Sequence, residues 1–147
     1  MTVRNATLLD IEQLSQLFDG YRVFYRKNSD IDAAKKFLLE RLEAKDSEIY
    51  VAQNDDNQLT GFVQLYPLFS STRMKKLWLL NDLFVDAKYR GEGVSIALIN
   101  AAKHLVIDTG ACGLFLETEK SNHIGNNLYP KTGFTLNEVS NFYEWNP

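Results

Sequence analysis

Apolar residues at 11, 14, 17, 18 and 21 (Ile, Leu, Leu, Phe, Tyr) fall at helical spacing and predict one amphipathic helix with a single buried stripe. Asp10 stands where its N-cap belongs, Gln13 completes a capping-box pattern, and Leu9 and Leu14 are placed as a hydrophobic staple. "VRNAT" ahead of it reads as a short strand, and Ala34, Phe37, Leu38 and Leu42 line the inner side of a second helix over 31–42. "EIYVAQ" and "LTGFVQLY" flank the polar cluster "NDDNQ" and predict a hairpin, with Pro67 ending its second strand. "KLWLLNDLFV" (76–85) is apolar at both parities, the pattern of a strand covered on both faces. A helix over 94–109 turns Ala97, Leu98, Ala101, Leu105 and Ile107 largely inward and stops at Gly110. "GLFLET" (113–118) is a further strand, and "NHIGNNLY" a short helix that Pro130 discourages from continuing. "FTLNEV" and "NFYEW" close the chain as a strand pair. The order β-α-α-β-β-β-α-β-α-β predicts an α/β (α+β) layer on a central sheet.

Composition narrows the picture without changing it. The 147 residues suit a single domain spanning 1–147, with no internal repeat, at 45% hydrophobic and 24% charged content. No apolar run is long enough for a membrane span and the first residues lack a secretory pattern, so a cytoplasmic protein with no membrane partner is expected. Cys112 is the only cysteine, and His104 and His123 have no ligand cluster around them, so no metal is expected. A net charge of −3 gives no electrostatic reason to bind nucleic acid and favours a small substrate.

Two features call for chemistry. Asn81 and Asp82 interrupt an otherwise apolar strand. After that strand, Arg90-Gly91-Glu92-Gly93-Val94-Ser95 leads directly into a helix. The first backbone N–H groups of a helix have no intrahelical partner, and its dipole adds partial positive charge there. Glycine admits positive φ and close approach of an anion, and Arg90 adds charge-assisted donors. The same residues would also serve as a plain strand–helix turn with a solvated arginine. A P-loop would need lysine and then serine or threonine after the last glycine, and a dinucleotide fingerprint would need a small residue where Ile96 stands.

"NDLFVDAKYRGEGVSIALI" resembles the core signature of GNAT-type N-acetyltransferases, in which Arg or Gln, then Gly, then Gly or Ala follow the fourth strand; here these are Arg90, Gly93 and Ser95, the serine being a departure. "NHIGNNLYPKTGF" is similar to the later block of that family, through Asn122, Gly125, Leu128, Tyr129, Gly133 and Phe134. The resemblance covers nearly the whole chain, and its closest flavour is that of small bacterial polyamine and small-amine acetyltransferases. It implies a mixed, mostly antiparallel sheet, splayed between its fourth and fifth strands and flanked by helices.

The resemblance implies acetyl-CoA as cosubstrate, with the diphosphate on residues 90–95 and the pantetheine arm along the main chain of Leu83, Phe84 and Val85. It brings Asn122 to that arm and Tyr129 to the sulfur. A primary amine with a pKa near 10.4 is uncharged in only about one molecule in a few thousand at neutral pH, so its proton must be removed. The departing thiolate needs a proton, which a phenol of similar basicity can supply, and Tyr129 is the candidate acid. Polyamine-acetylating relatives carry glutamate where this chain has Asn81. Asparagine cannot take a proton, but it can hold a water that does. Asp82 would need a bulge to face the same way, and Glu117 is a third candidate base.

The family builds its acceptor pocket from the first two helices. Phe24 and Tyr25 would wall it, Tyr21 is more simply core, and Asp82 or Asp30 and Asp32 would suit a cationic amine. The connection 66–76 could cover that side, and Arg73, Lys75 and Lys76 at its end are read as solvated or as meeting an acidic group. A polyamine or other small primary amine is the first expectation, then an amino acid, then a protein lysine or N-terminus. The rivals are an acetyl-CoA sensor without catalysis and a module reading ATP or NAD. The resemblance also raises a homodimer, in which "NFYEW" would serve either the interface or a packed terminal strand.

Overall fold

The computed structural model describes residues 1–147, which divide into two compact units, Met1–Leu116 and Glu117–Pro147. In the first, β1 (Thr2–Asn5), β2 (Glu48–Gln53), β3 (Leu59–Ser70), β4 (Lys75–Val85) and β5 (Leu114–Phe115) form one sheet in that order. Neighbours run antiparallel except β4 and β5, which are parallel. The helices are α1 (Ile11–Phe24), α2 (Ile31–Ala44) and α3 (Val94–Asp108). The second unit contains α4 (His123–Lys131).

The sheet is a middle layer. Leu14, Leu17 and Phe18 of α1 and Ala34 and Leu38 of α2 form one core with Ile49, Val51 and Phe62. Gly61, next to Phe62, faces the other way, where an added Cβ would lie 3.2 Å from Val94 and 3.3 Å from Leu98 of α3. Strands alternate their faces, so β3 is covered on both sides and residues 59–65 are all buried.

Several local expectations give way to tertiary context. Asp10 does not cap α1 with its side chain; it accepts from the Thr7 backbone N–H at 2.7 Å and is gripped by both terminal nitrogens of Arg4 at 2.8 Å. Gln13 accepts from Leu59 N–H at 2.9 Å, binding α1 to the sheet, and Leu9 is exposed, so there is no staple with Leu14. Pro67 does not end β3, which pairs with β4 as far as Ser70↔Lys75. Pairing with β2 stops at Leu65, so the missing proline N–H falls where β3 has a neighbour on one side only. Residues 66–76 are therefore a two-stranded ribbon, not a covering loop. At its end Arg73 donates to the Cys112 carbonyl at 3.3 Å and Lys76 lies over the Trp78 ring.

The inward face of α3 is Val94, Leu98, Ile99, Ala102 and Leu105, and Ile107 is exposed. The stripe is thus rotated from the expected one, because docking follows the i, i+4 row starting at Val94. Gly110, at φ 63°, ends the helix region as expected. The fifth strand is only Leu114–Phe115. Pro130 lies inside α4, near enough to its end that Thr132 and Gly133 still bond back to Leu128 and Pro130. Residues 135–147 form no strand pair; they are exposed and irregular, including Phe142, Tyr143 and Trp145.

Candidate active site

The parallel ladder between β4 and β5 consists of Trp78↔Leu114 and Leu79↔Phe115 and goes no further. From Leu80 to Val85, β4 is therefore bonded on the β3 side alone, and the sheet splays as the sequence resemblance implied. Leu83, Phe84 and Val85 lie in this open stretch, half-buried. An extended ligand could add to that edge as a strand would.

β4 ends in a turn in which Asp86 accepts from Lys88 N–H, and residues 90–93 then lead to α3. Gly91 and Gly93 have φ of 83° and 80°, and a Cβ on either would meet nothing within 4 Å. Gly93 is the N-cap of α3 and offers no side chain to its first turn. The first intrahelical bond is Ala97 N–H to the Gly93 carbonyl, at 3.0 Å, so the amides of Val94, Ser95 and Ile96 precede the helical ladder. Arg90 and Glu92 are exposed beside them. A bare, left-handed backbone in open space at the positive end of a 15-residue helix fits a diphosphate.

Asn81 and Asp82 sit at a break in register. Leu65 faces Leu80 and Gln64 faces Asp82, so Asn81 is the extra residue of a bulge. The bulge leaves Asn81 exposed while Asp82 is buried at 4% exposure. Asp82 Oδ2 accepts from Gln64 Nε2 at 2.9 Å and Oδ1 from Asn81 Nδ2 at 3.1 Å. Burial pushes the Asp82 carboxyl above its usual range, and the hydrogen bonds from Gln64, Asn81 and Tyr21 offset part of that. Tyr66 nearby is pushed up to about 12, chiefly by burial and then by the Asp82 charge.

The end of α1 supplies an aromatic wall. Tyr21 and Tyr25 meet edge-on at 5.1 Å, as do Phe24 and Tyr25, and Tyr21 also meets Phe84 of β4 at 6.4 Å. The Tyr21 hydroxyl donates to the Asn81 carbonyl at 3.4 Å, so Tyr21 touches the β4 bulge as well as the core. The buried Asp19 fixes the following turn, accepting from Ser29 Oγ and Asp30 N–H at 2.7 Å each. Phe24 stays 46% exposed. Asp30 caps α2 through Ala33 N–H and is spent structurally.

The structure thus gathers Phe24, Tyr25, Asn81, Asp82, Phe84 and Arg90 in the first unit. Gln64 was not among the sequence candidates, and Tyr21, read there as more simply core, also reaches β4 at Asn81. The signal for Gln64 was a lone amide in the apolar run "GFVQLY", the counterpart of the one noticed at Asn81. In the second unit, Asn122 caps α4, its Oδ1 accepting from Gly125 N–H at 3.1 Å and its Nδ2 donating to Thr118 at 2.9 Å. Gly125 is required there: a Cβ would stand 2.6 Å from Asn122 Nδ2 and 3.3 Å from the Tyr129 ring. Tyr129 is half-buried and packs edge-on against Phe134. Glu117 is exposed and lies beyond the short β5. No group of three or more His, Cys, Asp or Glu residues could hold a metal, and no helix is long and apolar enough to cross a membrane.

A splayed mixed sheet with a bare helix start at the end of its fourth strand defines an acyltransferase that takes its acyl group from coenzyme A. The chain belongs to the acetyltransferase (GNAT) family, whose model matches residues 11–134. It is 41% identical to an uncharacterised N-acetyltransferase of Bacillus subtilis, YhfO, over 134 residues, or 91% of this chain and 89% of that protein. A probable acetyltransferase of Haemophilus influenzae is 28% identical over 98% of this chain and 97% of its own. The crystal structure of another probable acetyltransferase superposes with a TM-score of 0.95 at 35% identity, covering 100% of this chain and 98% of that one. The protein is an acetyl-CoA-dependent acetyltransferase.

Proposed function

We propose that the chain acetylates a primary amine of a small molecule, polyamine or amino-acid-like, by direct attack in a ternary complex. The observation that carries this reading is a buried carboxylate, Asp82, at a bulge of the open β4 edge, facing the aromatic wall of α1. Such a combination suits a small cationic head group, since aromatic faces and a carboxylate both attract cations.

When bound, acetyl-CoA supplies an acetyl group activated as a thioester. Arg90, Gly91, Glu92, Gly93, Val94 and Ser95 would hold the diphosphate through main-chain amides and the guanidinium. The main chain of Leu83, Phe84 and Val85 would align the pantetheine arm, and the family resemblance assigns Asn122 to the same arm. Phe24, Tyr25 and Asp82 bind and orient the acceptor. Asn81 Oδ1 holds the acceptor nitrogen or the water that carries its proton away. A β4 amide on the open edge would be available to donate to the thioester carbonyl oxygen. By the family resemblance, Tyr129 of the second unit would keep its phenolic proton for the departing sulfur.

The test is thermal shift with acetyl-CoA, CoA, ATP and NAD, followed by thiol release and mass detection of product over an amine panel. Stabilisation by acetyl-CoA and not NAD is expected, with thiol release that depends on a small amine. Stabilisation without thiol release from any amine would establish a sensor instead. Product only on protein lysines or N-termini would move the acceptor class.

A further inference from the structure

A buried carboxylate ordinarily has a cation beside it. Asp82 has none: its donors are Gln64, Asn81 and Tyr21, all neutral. Facing it are Tyr21 from α1 and Tyr66 from β3, and burial keeps Tyr66 protonated well above neutral pH. Arg41 and Asp46, which act on Tyr66, are paired with each other at 2.8 Å. No cation is bonded to Asp82, and the adjacent residue, Asn81, opens to solvent.

An ionised carboxylate only accepts hydrogen bonds, so Asn81 must offer it the nitrogen end of its amide. That fixes which way the amide faces. With Nδ2 on Asp82 Oδ1 at 3.1 Å, Asn81 Oδ1 is left as the outward end. Asp82 is itself immobilised by Gln64 Nε2, and Gln64 Oε1 is held by Ser47 Oγ at 3.0 Å. Three side chains, Asp82 of β4, Gln64 of β3 and Ser47 from the segment before β2, thus set the polarity of one exposed amide.

We propose that Asp82 is a positioning residue that holds the Asn81 amide nitrogen inward, turns Asn81 Oδ1 toward the acceptor, and so selects a protonated primary amine over a neutral hydroxyl of the same shape. This rests on the acetyl-transfer reading above for the location of the acceptor. The ligand supplies both what the pair lacks: a cation for the carboxylate and a donor for the outward oxygen.

The probes are 1,4-diaminobutane and butane-1,4-diol, titrated calorimetrically into the CoA-saturated parent, Asp82→Asn, Asn81→Ala and the double variant. The parent is expected to bind the diamine at least tenfold more tightly than the diol. Each single variant should lose most of that preference, and the double variant no more than either single, because the two residues act as one unit. The side-chain amide signal of Asn81 in 15N spectra should shift with pH in the parent and not in Asp82→Asn. An absent preference in the parent, a preference retained by Asp82→Asn, or losses that add in full would each overturn the proposal. If Asp82→Asn does not fold, the exposed Asn81→Ala decides alone, and an undiminished preference in it is fatal. Diamine preference with the expected variants but no acetyl transfer to any amine would leave this inference standing and remove the catalytic reading.

Discussion

The Arg90 Nε donates to the Val85 carbonyl at 3.2 Å, joining the glycine loop to the last residue of the open strand. Its guanidinium also stands 6.0 Å from the Phe24 ring centre and 5.9 Å from that of Phe84. One side chain therefore touches the proposed coenzyme loop, the strand edge and the acceptor wall. Arg90→Ala is expected to weaken CoA binding about tenfold by calorimetry, the scale of one charge-assisted contact. Arg90→Lys should recover only part of the loss, since lysine lacks the planar fork. Full recovery by lysine would mean that Arg90 supplies charge alone.

Gly93 is a backbone requirement in a roomy place. A Cβ there has no neighbour within 4 Å, but φ is 80°, a region costing an L-residue about 1–2 kcal/mol. Gly93→Val should stay folded by circular dichroism, melt a few degrees lower, and lose at least tenfold in CoA affinity. Intact CoA affinity in that variant would place the diphosphate elsewhere.

Tyr129→Phe removes a hydroxyl from a half-buried ring and leaves its packing on Phe134 in place. Amine-dependent thiol release should fall at least tenfold while the acetyl-CoA thermal shift is kept. Release as fast as in the parent would take the acid role from Tyr129.

Two aspartates give opposite contributions to stability against pH. Arg4 holds the Asp10 carboxyl below its usual range. Its stabilisation is therefore present above the ordinary carboxylate pKa and is lost as pH falls through the lowered folded value. Asp10→Asn should melt lower than the parent at neutral pH and converge with it in acid. Asp82 is held above its range by burial, so the folded state binds the proton more readily and loses stability as pH rises from the unfolded to the folded value. Asp82→Asn should melt higher than the parent at neutral pH, with the gap closing in acid. Melting scans of both variants between pH 3 and 8 check the two signs, and a neutral-pH loss in Asp82→Asn would contradict the second.

Much of the fold was legible because its signals are local. The stripe of α1, the hairpin about residues 54–58 and the glycine stop of α3 each lie within a dozen residues, where periodicity and turn chemistry act. The site was legible in part for the same reason. Arg90, Gly91 and Gly93 are contiguous, and two polar residues in an apolar strand announce themselves. Gln64 and Tyr21 were not readable as their partners, because they stand 18 and 61 residues from Asp82 along the chain and meet it only through strand pairing and helix docking.

The sequence by itself determined which segments could be helices or strands, where a bare backbone meets a helix start, and which family those residues resemble. Only the tertiary structure decided that Asn81 is the extra residue of a bulge, that Asp82 is buried without a cation, and that β4 parts from β5 after Leu79. The physical reason is that register and burial depend on what a neighbouring strand or helix presents, and no single stretch of chain carries that information.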